Sequence, residues 1–258
     1  MLTLDMLYST YSDRIYNLID KLPDKNNNVR IVIVHQVGKL QYNDVCNFFS
    51  DRDDVVYYQS KIHGVARSRN IAISLATSDV VLFCDDDVTY LSNIYDIVIN
   101  EYENSYYDLI TFAYQKESVS GIGRFSKDTY DHSMRTIFSV GTIEISCLLS
   151  AIKLAKASFP EDLGAGERFY LCDEPVFLSN FIKNKCKVKY TPKSIGCHPF
   201  FSSGSNLNTY EACRSRFICF RYIFGGYLCY PIYYLFIIKN IKRIKFNCYY
   251  NAFLKAIF

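Results

Sequence analysis

What this chain lacks narrows its class before any motif is considered. It carries little net charge, +3 over 258 residues, and its basic residues are dispersed before position 214. Nucleic acid is therefore excluded as the expected partner. Ten cysteines are present, but none form a CxxC pair and their spacing is irregular. Asp5, Asp13 and Arg14 interrupt the apolar run that a secretory leader would need. Together these absences argue against a disulfide framework and for a reduced, cytoplasmic setting. Cys84 and Cys147 lie inside apolar runs, where a thiol behaves as a small buried hydrophobe. No internal repeat occurs, and residues 9–14 contain no glycine-rich basic loop of the kind that cradles phosphates.

What is present is apolar surface. Half of the residues are hydrophobic, 50%, enough for one substantial core with an appended tail. The first hundred residues alternate in pattern. Residues 2–8 read as a strand, and residues 12–22 as a helix with Ile15, Leu18, Ile19 and Leu22 along one face. The β-branched run VRIVIV (residues 29–34) reads as a strand covered on both faces. A third strand is expected over residues 55–59, a helix over 65–76 and a fourth strand over 80–84, VVLFC. This order predicts an α/β fold with a largely parallel sheet, in which ligands gather at the carboxyl ends of the strands. Residues 121–131 read as a loop and residues 142–149 as a strand.

Asp85, Asp86 and Asp87 follow that fourth strand directly. Three adjacent carboxylates repel one another and push their pKa values up. A divalent cation relieves the repulsion, and Mg²⁺ or Mn²⁺ binds through one or two carboxylates together with substrate phosphates. A solvated acidic turn or a helix cap is the plainer reading of the same residues.

The segment GVARSRNIAISLATSDVVLFCDDDV (residues 64–88) resembles the family 2 glycosyltransferases, in which a helix containing Arg and Asn precedes an apolar strand ending in a DXD motif. The resemblance implies a GT-A fold: a Rossmann-like, mostly parallel sheet flanked by helices. It implies a donor site including Thr10, Gln36, Arg67, Asn70, Asp85 and Asp86, with Asp87 and Asp85 on a Mn²⁺ or Mg²⁺ ion. A second similarity lies in FPEDLGAGERFYLCDEPVFL (residues 159–178), where a glycine-rich loop leads to an acidic pair. It implies Glu174 as general base of an inverting transfer, with Asp173 as the fallback. The third, IGCHP (residues 195–199), places His198 near the metal or diphosphate, with Ser202, Ser203 and Gly204 covering the phosphates. The sequence departs from the family pattern at Gln36, where relatives carry an acid that reads the nucleoside.

Residues 1–205 are accordingly expected to form the transferase domain, its nucleotide-sugar half over about 1–100 and its acceptor half over about 101–205. Residues 206–258 form an aromatic and basic helical tail. Residues 222–238 carry no charge and are followed by Lys239, Lys242, Arg243 and Lys245. That run is shorter than the roughly 20 residues of a membrane span. Peripheral attachment to an anionic membrane surface and packing on the domain are the two leading readings, with a true span third. The implied activity moves a sugar from a nucleotide sugar, UDP-linked as first choice, to a saccharide or lipid-linked saccharide. Bacterial surface polysaccharide or glycolipid synthesis, at the inner face of the cytoplasmic membrane, is its implied setting. A nucleotidyltransferase and a noncatalytic sugar-binding module are the competing readings; the first would want the phosphate loop that residues 9–14 lack, and the acidic pair Asp173–Glu174 discriminates against the second, since a binding module needs no base.

Overall fold

Short apolar runs form the centre of the sheet in the computed structural model, which describes residues 1–116, 122–198 and 207–257. Strand β1 (Leu4–Tyr11) lies between β2 (Val29–Gln36) and β4 (Val80–Asp85), parallel to both, and β3 (Val55–Ser60) extends β2. The helices that connect them are α1 (Arg14–Ile19), α2 (Asn43–Phe49) and α3 (Val65–Leu75). Alternate residues of each strand enter different cores. Ile31, Ile33 and Leu82 face one, beneath α1, α2 and α4 (Ile94–Glu103); Val32, Val34 and Phe83 face the other, beneath α3. Burial on both faces explains why these strands read as continuous hydrophobic runs.

The second half of the sheet is mixed. It contains β5 (Thr89–Tyr90), β6 (Leu109–Lys116), β7 (Tyr130–Asp131), β8 (Ile145–Leu148) and β9 (Val188–His198). The order is β3-β2-β1-β4-β8-β6-β9-β5, with β7 on β9. The parallel arrangement expected from the strand–helix alternation holds from β3 to β4; β8 is antiparallel to both β4 and β6. Helices α5 (Leu149–Ala155) and α6 (Asp173–Lys183) complete the second layer.

Several boundaries differ from expectation for local reasons. Helix α1 begins at Arg14 because Ser12 adopts a left-handed φ of 50°. The expected strand over residues 142–149 starts as a 3₁₀ turn, Thr142–Glu144, before β8. Helix α2, in a stretch that reads as polar, is held by Val45 and Phe49 alone. Helix α7 (Tyr210–Lys239) kinks at Gly225, where φ is 79°. Its inner face joins Leu163, Phe169 and Val176 in a third core with the last turns of the chain. Packing on the domain thus accounts for one face of the tail. Among the described residues, no helix is long and apolar enough to cross a membrane.

One buried ion pair fastens the amino edge of the sheet. Asp5 is fully buried and receives Nε and Nη2 of Arg30, its register neighbour on β2, at 2.9 and 2.7 Å. The Thr77 and Ser78 amides and the Ser78 hydroxyl also donate to it. Burial raises its pKa, but these donors overcome burial and hold the carboxyl below its ordinary range. Asp5→Asn should therefore destabilise the fold by about 3 kcal/mol at neutral pH. Because the folded-state pKa is depressed, that loss should shrink as pH falls through the carboxylate range. Denaturant titrations of both proteins across pH check it; a difference that is constant down to acid would remove the ion pair from the explanation.

Candidate active site

The carboxyl ends of β1, β2 and β4 share one edge, and the register brings Ser9 beside Asp85 and Tyr11 beside Gln36. Above that edge opens a cleft of about 1070 Å³. Thr10, Gln36, Asp85, Asp86, Asp87, Asp173, Glu174 and His198 all line it. Segments separated by a hundred residues meet there. Arg67 and Asn70, expected to bind donor, are not brought into the lining: Arg67 pairs with Glu161 at 3.2 Å, and Asn70 exchanges two 2.9 Å hydrogen bonds with the Phe159 backbone. Both sit on faces of α3 that tie loops together. Ser202, Ser203 and Gly204 lie outside the described residues.

The three aspartates have different surroundings. Asp86 is buried, accepts from the Thr10 hydroxyl at 2.7 Å and pairs with Arg14. Burial raises its pKa, and the Thr10 hydrogen bond and the Arg14 charge oppose the rise. Thr10 is thereby engaged in holding the turn. Gln36 is engaged too: its carbonyl accepts from the Gly64 amide at 2.8 Å, and its amide donates to Ser9. Asp85 lies 3.6 Å from Arg69, and burial raises its pKa against that cation. Asp87 is the most open of the three, with Arg14 at 3.5 Å from Oδ2 and His198 Nε2 at 3.8 Å from Oδ1.

Arg69 connects the donor-side and acceptor-side acids. Its side chain is 8% exposed and its guanidinium lies over the Phe159 ring at 5.4 Å. Nη1 donates to Asp173 Oδ2 at 2.6 Å and stands 3.8 Å from Glu174 Oε1, while Nη2 faces Asp85. Burial opposes its charge, and the surrounding carboxylates more than restore it. Asp173, 2% exposed, is committed to this pair. Glu174 accepts instead from the Thr142 hydroxyl at 2.6 Å. Burial, reinforced by the Asp173 charge and opposed by Arg69, pushes the Glu174 carboxyl up to about 7.

A glycine loop makes this approach possible. Gly164 has φ of 97°, and a Cβ there would stand 3.0 Å from the Asp173 carboxyl and 2.8 Å from Val65. Gly64, φ 117°, leaves the space that Glu167 occupies, since a Cβ would fall 1.9 Å from its Oε1.

Three groups were left out of the expected site, although Arg69 stands in the helix motif beside Arg67 and Asn70. Arg69 carried a signal: its i, i+3 spacing from Ala66 and to Ala72 puts it on the buried face of α3, and a buried arginine requires acids nearby. Arg14 is brought to Asp86 by the turn after β1. Arg124 lines the opposite wall, paired with buried Glu144 at 2.7 Å and stacked over Phe125 at 4.7 Å. Burial pushes the Glu144 carboxyl up to about 8 despite the Arg124 charge. Neither has a local sequence signal.

The acids also fit a divalent cation. Asp87 Oδ1 is a buried oxygen without a hydrogen-bond partner, with Asp85 and His198 beside it. Among the described residues, no group of three or more His, Cys, Asp or Glu side chains is arranged to hold a metal ion. Mg²⁺ and Mn²⁺ do not need one, because substrate phosphates and water fill the remaining positions.

The profile described as Glycosyl transferase family 2 matches residues 9–149, more than half of the chain and including β4 with its aspartates. No curated protein matches in sequence. Among solved structures, S. aureus TarS 1-349 in complex with UDP-GlcNAc aligns with a TM-score of 0.70 at 13% identity, over 99% of this chain and 82% of that one. The same TarS fragment without a named ligand aligns with a TM-score of 0.67 at 15% identity, over 99% and 81%. The mannosyltransferase PcManGT from Pyrobaculum calidifontis, in complex with GDP-Man and Mn²⁺, aligns with a TM-score of 0.59 at 11% identity, over 85% and 63%. At such identities the structures speak for the fold, and the sequence profile speaks for descent: the chain is a glycosyltransferase with the GT-A fold and belongs to glycosyl transferase family 2.

Proposed function

We propose that this enzyme moves a sugar from a nucleoside-diphosphate sugar to an acceptor hydroxyl with inversion, Glu174 serving as general base. One observation carries the reading: acids from the end of β4 and the start of α6 share one cleft, and Arg69 ties down Asp173 while leaving Glu174. A carboxyl raised to about 7 is matched to taking a proton near neutral pH. A noncatalytic sugar-binding module would have no use for such a group. UDP is the favoured nucleotide, since TarS is solved with UDP-GlcNAc and aligns over 99% of this chain. A saccharide or lipid-linked saccharide acceptor, within surface polysaccharide or glycolipid synthesis at the inner membrane face, completes the reading. Residues 1–205 would carry the chemistry and residues 206–258 the membrane-proximal tail.

The proton of the acceptor hydroxyl passes to Glu174 as the acceptor oxygen bonds to the anomeric carbon. The bond from that carbon to the diphosphate oxygen breaks on the opposite face, and the nucleoside diphosphate leaves with inversion. Thr142 aims the Glu174 carboxylate, and Arg69 keeps Asp173 from competing for the proton. Asp87, with Asp85 or His198 beside it, would hold a Mn²⁺ or Mg²⁺ ion together with the substrate phosphates, and the ion would neutralise charge on the departing diphosphate. Asp86 fixes the turn through Thr10 and Arg14.

Two outcomes follow from this assignment. Glu174→Gln keeps the shape and removes the base, so kcat should fall by about 10² to 10⁴ with donor affinity unchanged. In the unmodified enzyme kcat/KM should drop about tenfold per unit as pH falls below about 7, because Glu174 must be ionised to act. That limb should be absent from the residual rate of Glu174→Gln, and a profile that is the same in both proteins assigns the base elsewhere. Asp87→Ala should abolish the strengthening of UDP binding by Mn²⁺ in calorimetry. If Mn²⁺ still tightens UDP binding to Asp87→Ala, the cation is held by other groups.

A further inference from the structure

Beyond the cleft, the molecule exposes one apolar surface with a consistent charge frame. After its kink at Gly225, α7 buries Cys229, Tyr233 and Ile237, each 0% exposed and four residues apart. The opposite side of a surface helix normally carries polar and charged residues. Here it carries Leu228, 62% exposed, Leu235, 66%, and Ile238, 56%, with exposed Pro231 on the same line and Tyr227, 94% exposed, at the kink. The spacing of 228, 231, 235 and 238 is that of a single helical stripe.

We propose that this stripe, with the basic turn that follows it, is a docking face for an anionic lipid surface. A helix apolar on both sides is ordinarily buried or within a membrane. The described residues do not bury the stripe, and its inner side is already committed to the third core with Leu163, Phe169 and Val176. Among the described residues no helix is long and apolar enough to span. A helix lying in the membrane–water interface remains, its apolar side in the acyl boundary.

Charge identifies the kind of surface. Every charged side chain after Glu211 is basic. Lys239, Lys242 and Lys245, all exposed, follow the stripe directly, as does Arg243. Apolar side chains framed only by positive charge complement anionic headgroups. Arg243 also lines the cleft, as does Arg216 near the start of α7. The docking face and the cleft mouth therefore adjoin, which is the arrangement an acceptor carried on lipid would need. The docking itself does not depend on the transferase reading.

The test is sedimentation of the full chain with vesicles of phosphatidylglycerol and phosphatidylcholine, against vesicles of phosphatidylcholine alone. The protein should partition to the anionic vesicles. Leu228→Ser/Leu235→Ser/Ile238→Ser should weaken that partitioning by about tenfold or more. Lys239→Gln/Lys242→Gln/Lys245→Gln should weaken it on the order of 100-fold, at about fivefold for each basic residue near the surface. All six positions are exposed, so both variants should keep the melting temperature and UDP affinity of the parent. Leu235→Ser alone, with a proportionate loss, serves if the triple serine variant melts early. Equal partitioning of parent and variants, or no preference for anionic vesicles, overturns the proposal. So does a parent that light scattering shows to be a dimer broken by the serine substitutions, since the stripe would then cover a second copy. A parent that binds no UDP would remove UDP as the donor nucleotide and leave the docking result standing.

Discussion

The placement of Arg69 is the constraint on which the site depends. A guanidinium with little access to water is tolerable only among carboxylates, and the acids around it are tolerable only because it is there. That mutual requirement joins α3, the end of β4 and the start of α6, three elements that come from different parts of the chain. It also breaks the equivalence of the acidic pair. Asp173, at 2.6 Å from Nη1, is held as a partner of the arginine. Glu174 is left with a pKa that burial and the Asp173 charge raise against the opposing Arg69 charge and Thr142 hydrogen bond. One cation thus reaches two neighbouring acids unequally, at 2.6 Å and 3.8 Å.

The sheet supplies the geometry in which this can happen. Four parallel strands deliver Ser9, Gln36 and Asp85 to one edge. The mixed half, with β8 antiparallel between β4 and β6, supplies the facing wall and the Thr142–Glu144 turn. The glycine loop before α6 lets its carboxylates approach α3 as closely as the Arg69 contacts require. The family match runs from the end of β1 through β8, residues 9–149, while α6 lies beyond it. The acceptor-side assignment therefore stands on geometry rather than on the profile.

The tail helix has one face in the interior and one at the surface. Tyr233 donates to the Ala252 carbonyl at 2.8 Å, and Arg214 reaches the Ala256 and Ile257 carbonyls, closing the last turns onto α7. Its inner face is part of the protein's interior, so removing the segment would expose Leu163, Phe169 and Val176. Only substitutions on the outer stripe separate a surface role from a structural one.

The sequence by itself determined the elements whose signal is local. VRIVIV and VVLFC are strands because both faces are buried, which leaves an apolar run readable without a structure. Asp85 follows because the strand ends where the acids begin. Other features needed tertiary information. Helix α2 has two buried anchors and so no legible period. Arg67, Arg69 and Asn70 are interchangeable polar letters on a helix until its rotation is known: one enters the cleft and two tie down loops. The partner that distinguishes Asp173 from Glu174 is an arginine 104 positions away from Asp173. Arg124 and Glu144 were invisible for the same reason. Periodicity records which face of an element is buried, but which acid meets which cation depends on contacts between elements, and no local pattern encodes those.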